Sequence, residues 1–326
     1  MNLGSLPLNG LPGAARRPQR HEKWQRQCES WRQLLGECGR KPSRRRVHTL
    51  RVATLRLQAE LEYCLEQPRT PAPAGRAMKR WNKQGDKLRR ALQPVREADV
   101  YLAKLAGLRV SLAAPEEIQT RCSRRCLGQM EKLERRLQRV RQAAAKKLMA
   151  EIEDRRERLI RLSHDMEAAL ELQMPLRSGA GAVAGLIASL AVEFPEFGAD
   201  RLHEFRKRVK KVRYLAELSA GADPQAARQA VALRQMQVAI GEWHDWQVLA
   251  QKAGRALRGR GKGNSLAELL ETLTAESLQK ALSLCRRLTA RLVRQGQGNT
   301  ASSPAPQKLP VRRVEPIVAA AERDCA

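Results

Sequence analysis

Aromatic residues are scarce in this chain: Trp, Tyr and Phe together make up 3% of 326 residues. Binders of single-stranded nucleic acid usually offer aromatic platforms on which bases stack. The basic face of residues 203–213 carries none, because Phe205 falls on the apolar side. Acidic residues are also few, with 34 Asp+Glu against 62 Lys+Arg, a net charge of +28 and a pI near 10.9. A charge this far from balance predicts anionic partners. No stretch reaches the roughly 18 consecutive apolar residues of a membrane-spanning helix. No cysteines have Cys-x-x-Cys spacing, and the seven present are an odd number with no secretion signal before them. Reduced thiols in a cytoplasmic protein are the expectation. Cys122 and Cys126 stand one helical turn apart, yet no histidine or second pair accompanies them, so no metal site is expected. The glycine-rich GRGKGN (259–264) lacks the Gly-Lys-Ser/Thr ending and the preceding strand of a phosphate-binding P-loop. No β-strand pattern occurs, and no nucleophilic triad can be argued from spacing. No cofactor is implied.

What is present is helical periodicity. Residues 201–218 read RLHEFRKRVKKVRYLAEL. On a helix, Leu202, Phe205, Val209, Val212 and Ala216 form one apolar stripe. His203, Arg206, Lys207, Lys210 and Arg213 cluster on another face, flanked by Arg208 and Lys211. Only Glu204 and Glu217 offset them, whereas a solvated surface helix interleaves both signs. So many like charges repel one another, and a polyanion is the natural missing partner. A second copy lies upstream, VHTLRVATLRLQAEL (47–61). Aligning His48 with His203 sets Arg51 on Arg206 and Arg56 on Lys211, an internal duplication at about half the chain length. Before it, Pro42 and Ser43 suit a helix start. Arg44 and Arg45 then project from the first turn, where free N–H groups favour a phosphate.

Hydrophobic residues make up 42% of the chain, enough for a sizeable core. The fold expected is all-α, with two four-helix-bundle-like halves containing long helices. Residues 1–19 are read as a flexible leader, 20–173 as the first half, 174–183 as a linker, 184–295 as the second half, and 296–326 as a disordered tail with a short helix near 315–323. Within the first half, a helix from Met78 to Leu108 carries Lys79, Lys83, Lys87 and Arg90 on one face and Trp81, Leu88, Leu92 and Val95 on the opposite one. Gly85 and Pro94 are candidate bends in it. Residues 116–173, dense in charges of both signs, read as a long structural helix or hairpin with a seam through Leu127, Met130, Leu133, Leu137 and Val140.

These motifs resemble the CHAD family, the conserved-histidine α-helical domain. VHTLRVATLRL (47–57) and LHEFRKRVKKVRY (202–214) are similar to the family's two His-x-x-Arg basic helices. LRRALQPVREADVYLAKL (88–105) and LRQMQVAIGEWHDWQVL (233–249) are similar to the helices that follow them. The likeness covers roughly residues 40–295. It implies two bundle-like halves related by a pseudo-twofold, with a basic surface or pore that binds inorganic polyphosphate, and association with polyphosphate granules. The Glu-x-Glu-x-Lys motif of the triphosphate-tunnel enzymes to which some members are fused is absent, so a stand-alone binding module without catalysis is implied. Leu55 and Gln58 stand where the family often has bases, Glu97 where it often has Asp, and Pro94 where it often has Gly.

The binding residues expected are Arg44, Arg45, His48, Arg51, Arg56, Lys79, Lys83, Lys87, Arg90, His203, Arg206, Lys207, Lys210, Lys211 and Arg213. Rows of Lys and Arg one turn apart can track a line of oxyanions. His48 and His203 either contact phosphate or pack between helices. Two other readings compete. One is non-specific nucleic-acid binding, favoured by charge alone. The other is a metal-dependent phosphohydrolase using His244–Asp245 and His164–Asp165, disfavoured by the surrounding bases, which repel a cation. Oligomeric state is not legible.

Overall fold

Ser43 stops one helix and starts the next. Its hydroxyl accepts the backbone N–H of Arg46 at 3.3 Å, capping the orphan donors of a new helix. The preceding Lys41 N–H still bonds the carbonyl of Glu37 at 3.0 Å. In the computed structural model this three-residue joint separates α1 (Arg17–Arg40) from α2 (Arg44–Leu65). There follow α3 (Ala72–Ala113), α4 (Arg124–Glu171), α5 (185–190), α6 (Ala199–Ser219), α7 (Pro224–Leu257) and α8 (Ser265–Gln297). The structure describes residues 17–65, 70–113, 124–171, 185–190, 199–220, 224–257 and 265–297. Among these residues there is no strand, and the fold is all-α. The leader, Cys122, the linker and the tail with its short helix lie outside them, apart from residues 17–19 of the leader, which begin α1, and 296–297 of the tail, which end α8.

The first core lies among α1–α4. Trp31, Leu35, Leu50, Trp81, Leu92 and Leu148 are all but fully buried there. Trp31 and Trp81 meet edge to face with centroids 5.5 Å apart. The indole N–H of Trp31 donates to Thr54 Oγ1 at 2.9 Å, and that hydroxyl donates to the Leu50 carbonyl at 2.8 Å. The polar handle of a buried indole is thus satisfied. The second core, among α5–α8, gathers Phe205, Val209, Leu233, Met236, Ile240 and Cys285. All but Cys285, which comes from α8, belong to the stripe read from residues 201–218 or to the inward residues of α7.

A third core joins the two groups. Tyr101 and Leu105 of α3, Met130 and Leu133 of α4, Leu249 of α7 and Leu266 of α8 share it. Gln129 Oε1 accepts the Leu266 N–H at 3.0 Å, fixing the start of α8 against α4. Arg141 of α4 donates to the Pro42 carbonyl at 2.7 Å and to the buried Asp99 at 3.1 Å. It thereby pins the start of α2 to α3. A small fourth cluster of Leu55, Ala59 and Tyr214 lies between α2 and α6.

Several details differ from the sequence reading. The helix expected over 78–108 spans Ala72–Ala113 and continues through Gly85 and Pro94. Pro94 is exposed, where its missing N–H is tolerated by a long helix packed elsewhere along its length. The helix expected within 116–173 is one element of 48 residues. Its seam is narrower than read: Leu127 and Val140 are 38% and 48% exposed, while Met130, Leu133 and Leu137 are buried.

If the third core joins the halves, removing its centre must weaken the whole. Leu105→Ala, at a fully buried position, is expected to cost about 2–5 kcal/mol of unfolding free energy. Urea denaturation followed by circular dichroism measures it, and a loss below about 1 kcal/mol contradicts the placement.

Candidate functional site: a basic cluster where four helices meet

The two His-x-x-Arg helices, α2 and α6, lie side by side along Leu55, Ala59 and Tyr214. Their basic faces therefore converge, and α3 and α7 close the sides. Arg51 of α2 senses Arg89 and Arg96 of α3 and Arg206 of α6 as neighbouring charges. Lys210 of α6 senses Arg51, Arg206, Arg89 and Arg213. His48 faces Arg96, Arg44 and Arg51. Arg206 lies flat against α7, and the reason is Gly241. A Cβ there would stand 3.4 Å from Arg206 Nη2, so the missing side chain makes room for the guanidinium. A similar close approach occurs at Gly85 of α3, where a Cβ would come within 3.1 Å of Gln58 Nε2.

Few partners neutralise the centre. Arg51 Nη1 donates to the backbone carbonyl of Arg89 at 3.2 Å, which is a dipole and not a charge. Arg89 has Asp86 at 2.8 Å. The Nε atoms of Arg89 and Arg206 are buried without a hydrogen-bond partner among the described residues. Such orphaned donors are costly in a finished interior. Asp245 of α7 is the carboxylate closest in influence to Arg96 and Arg206.

The titration behaviour follows from this crowding. Burial pulls Arg51 down to about 10, and Arg89, Arg96 and Arg206 push the same way. Lys210 falls to about 7, first through burial and then through the arginines around it. Arg96 and Arg206 are lowered mainly by burial, with Asp245 opposing. His48 and His244 are both lowered by burial and by neighbouring cations, His244 by Arg206 and His203. Asp245 is raised by burial against the pull of Lys104, Arg206 and Arg96. Desolvation and like charge both disfavour the cationic form here, and an oxyanion entering the cluster would relieve both.

The structure sorts the expected residues into three groups. Arg51, Arg206 and Lys210 come together at the centre, with the exposed His48 and Arg44 at its rim. His203 reaches its edge, its ring 5.2 Å from that of His244. Arg56, Lys211, Arg213 and Lys207 are basic residues with carboxylates in reach: Arg56–Glu217 at 3.6 Å, Lys211–Glu62 at 3.9 Å, Arg213–Glu217 at 2.7 Å and Lys207–Glu204 at 2.7 Å. Arg213 is buried and also stacks over Tyr214 at 4.2 Å. Arg45 is exposed at the start of α2. Lys79, Lys83 and Arg90 are exposed and Lys87 half-buried on a separate face of α3.

The α3 residues that do reach the cluster are Arg89 and Arg96, which the reading of the basic stripe passed over. Their spacing of seven places them on one face, about a third of a turn from the lysine stripe. That spacing was the available signal. His164 and Asp165, offered as metal ligands, are both exposed on α4. Among the described residues no group of three His, Cys, Asp or Glu could hold a metal ion, and no helix is long and apolar enough to cross a membrane.

A family model described as the CHAD domain matches residues 19–254. The chain belongs to the CHAD domain family. The matched span runs from α1 through most of α7 and so contains every residue of the cluster. The family is associated with polyphosphate. No curated protein and no solved structure matches the chain.

The lowered Lys210 gives a stability signature with a definite sign. The unfolded lysine titrates near 10.5 and the folded one near 7. Between these values the unfolded chain binds the extra proton, so the residue's penalty is complete below pH 7 and fades as pH rises to 10.5. Lys210→Met is expected to raise Tm most at about pH 6, with a gain that shrinks toward about pH 10. Thermal melts across this range check it, and a gain that grows with pH contradicts it.

Proposed function

We propose that the chain binds inorganic polyphosphate, without catalysis, in the cluster between α2, α3, α6 and α7. The observation that carries the reading is the half-buried convergence of Arg51, Arg96, Arg206 and Lys210 with no ion-paired carboxylate among the described residues. Polyphosphate is a line of tetrahedral oxyanions without bases. Guanidinium forks and an ammonium on converging helices can grip consecutive phosphates. The scarcity of aromatics across the chain supports a ligand that needs no stacking. In a cell the consequence would be recruitment of a cytoplasmic protein to polyphosphate granules.

On this reading Arg51, Arg206 and Lys210 grip the ligand, while the carboxylate-paired Lys207 and the outer stripe of α3 contribute only general attraction. The triple variant Arg51→Glu/Arg206→Glu/Lys210→Glu is expected to lower affinity for long-chain polyphosphate by about a hundred-fold or more. Lys79→Glu/Lys83→Glu/Arg90→Glu is expected to change mainly the salt dependence. Titrations against polyphosphate and duplex DNA over a range of salt read both. Equal binding of DNA, or equal loss in the two variants, contradicts the reading.

Lys210 also predicts proton uptake. At about pH 8 the free ammonium is largely deprotonated, and an adjacent oxyanion raises its pKa, so binding should take up close to one proton. Calorimetry in buffers of different ionisation enthalpy measures this, and Lys210→Met should abolish it.

A further inference from the structure

A groove of about 620 Å³ opens beside the cluster, running along the C-terminal half of α3 against α7 and α8. This size falls in the range of small-molecule sites. Its two ends differ in character. At one end stand Arg44 and Arg96, the latter also part of the cluster around Arg51. Neither makes an ion pair with a described residue. At the other end Leu108 of α3 and Leu269 of α8 provide apolar surface, and Ser111 offers a hydroxyl that donates to the Gly107 carbonyl at 3.2 Å. Arg96 and Leu108 are separated on α3 by roughly 18 Å of helix, at about 1.5 Å per residue.

Between the ends lies Trp246, whose half-buried indole lines the groove. Lys104 Nζ sits over its ring at 4.0 Å and pairs with Glu242. The lining also holds the carboxylates of Asp245, whose charge acts on Arg96, of Glu242, held by Lys104, and of Glu276. An aromatic wall, polar groups of both signs and two arginines without an ion-paired carboxylate at the mouth suit a ligand with a phosphate tail and a flat heteroaromatic body. Bare polyphosphate would leave the apolar end unused. An acyl chain would cover Ser111 and the Lys104–Glu242 pair without offering them a partner, at the cost of burying polar groups.

We propose that this groove binds a nucleoside triphosphate, with its phosphates at Arg44 and Arg96 and its base along Trp246 and Leu108. The ligand enters the basic cluster from the side of α3, so its terminal phosphates compete with polyphosphate for the same cations. The proposal rests on the polyphosphate reading only in taking the cluster as an oxyanion site.

The test compares ATP, inorganic triphosphate and dodecyl phosphate on the full chain by equilibrium dialysis. Contact of the base with Trp246 and Leu108 is expected to give ATP about a tenfold advantage over triphosphate. Gly107 lines the groove, and a Cβ there meets nothing within 4 Å. Gly107→Leu therefore keeps the fold while filling the groove, and circular dichroism confirms that it does. It should erase the ATP advantage and leave triphosphate and long-chain polyphosphate binding unchanged. Equal affinity for ATP and triphosphate overturns the proposal, as does an advantage that survives Gly107→Leu or tighter binding of dodecyl phosphate than of ATP. Polyphosphate affinity, read in parallel, decides the other proposal separately: its absence removes that reading, while the ATP comparison still judges the groove.

Discussion

Repulsion among half-buried cations is the constraint around which this molecule is arranged. Arg51, Arg89, Arg96, Arg206 and Lys210 stand close enough that, after burial, the neighbouring cations further lower the proton affinity of Arg51 and Lys210. Left alone, such a group would splay its helices apart. The cores on either side prevent this. One holds α2 and α3 through Leu50, Leu92 and the Trp31–Trp81 pair, the other holds α6 and α7 through Phe205, Val209 and Met236, and the third locks α3 and α4 onto α7 and α8. Hydrophobic burial thus fixes a concentration of charge that the charges themselves oppose.

The carboxylates around the cluster sharpen it. Glu217 reaches both Arg56 and Arg213, Glu62 reaches Lys211, and Glu204 reaches Lys207. These pairs neutralise the outer residues of the two basic helices and leave the central ones exposed to one another. An arginine such as Arg213, buried and stacked on Tyr214, serves the seam between α2 and α6. The cluster is therefore smaller and more focused than the total charge of the chain implies.

The fold was legible because its helices carry long apolar stripes. Leu202, Phe205, Val209 and Val212 point into a core as their spacing requires, and Ser43 caps α2 as its position before the basic run suggests. The site was legible in part. His48, Arg51, Arg206 and Lys210 follow from the two His-x-x-Arg helices. Which basic residues would meet a carboxylate on another helix did not, since pairs such as Arg56–Glu217 and Lys211–Glu62 depend on how α2 crosses α6. The same limit hid Arg89 and Arg96. A helical wheel shows two basic faces on α3, and only the packing of α3 beside α2 and α7 decides which one turns to the cluster. The groove at Trp246 depends on three helices and has no signature along any one of them.

The central claim is that the charge at the crossing of α2 and α6, and not the charge of the chain as a whole, holds the ligand. Side-chain NMR of the arginine Nε–H groups during titration with inorganic triphosphate tests it most directly. The account predicts that the Nε–H signals of Arg51, Arg89 and Arg206 shift and become protected from exchange with water, with Arg89 and Arg206 changing most because their Nε atoms are buried without a partner. Shifts confined to Arg90 and other exposed arginines, with Arg51 and Arg206 unmoved, would contradict it.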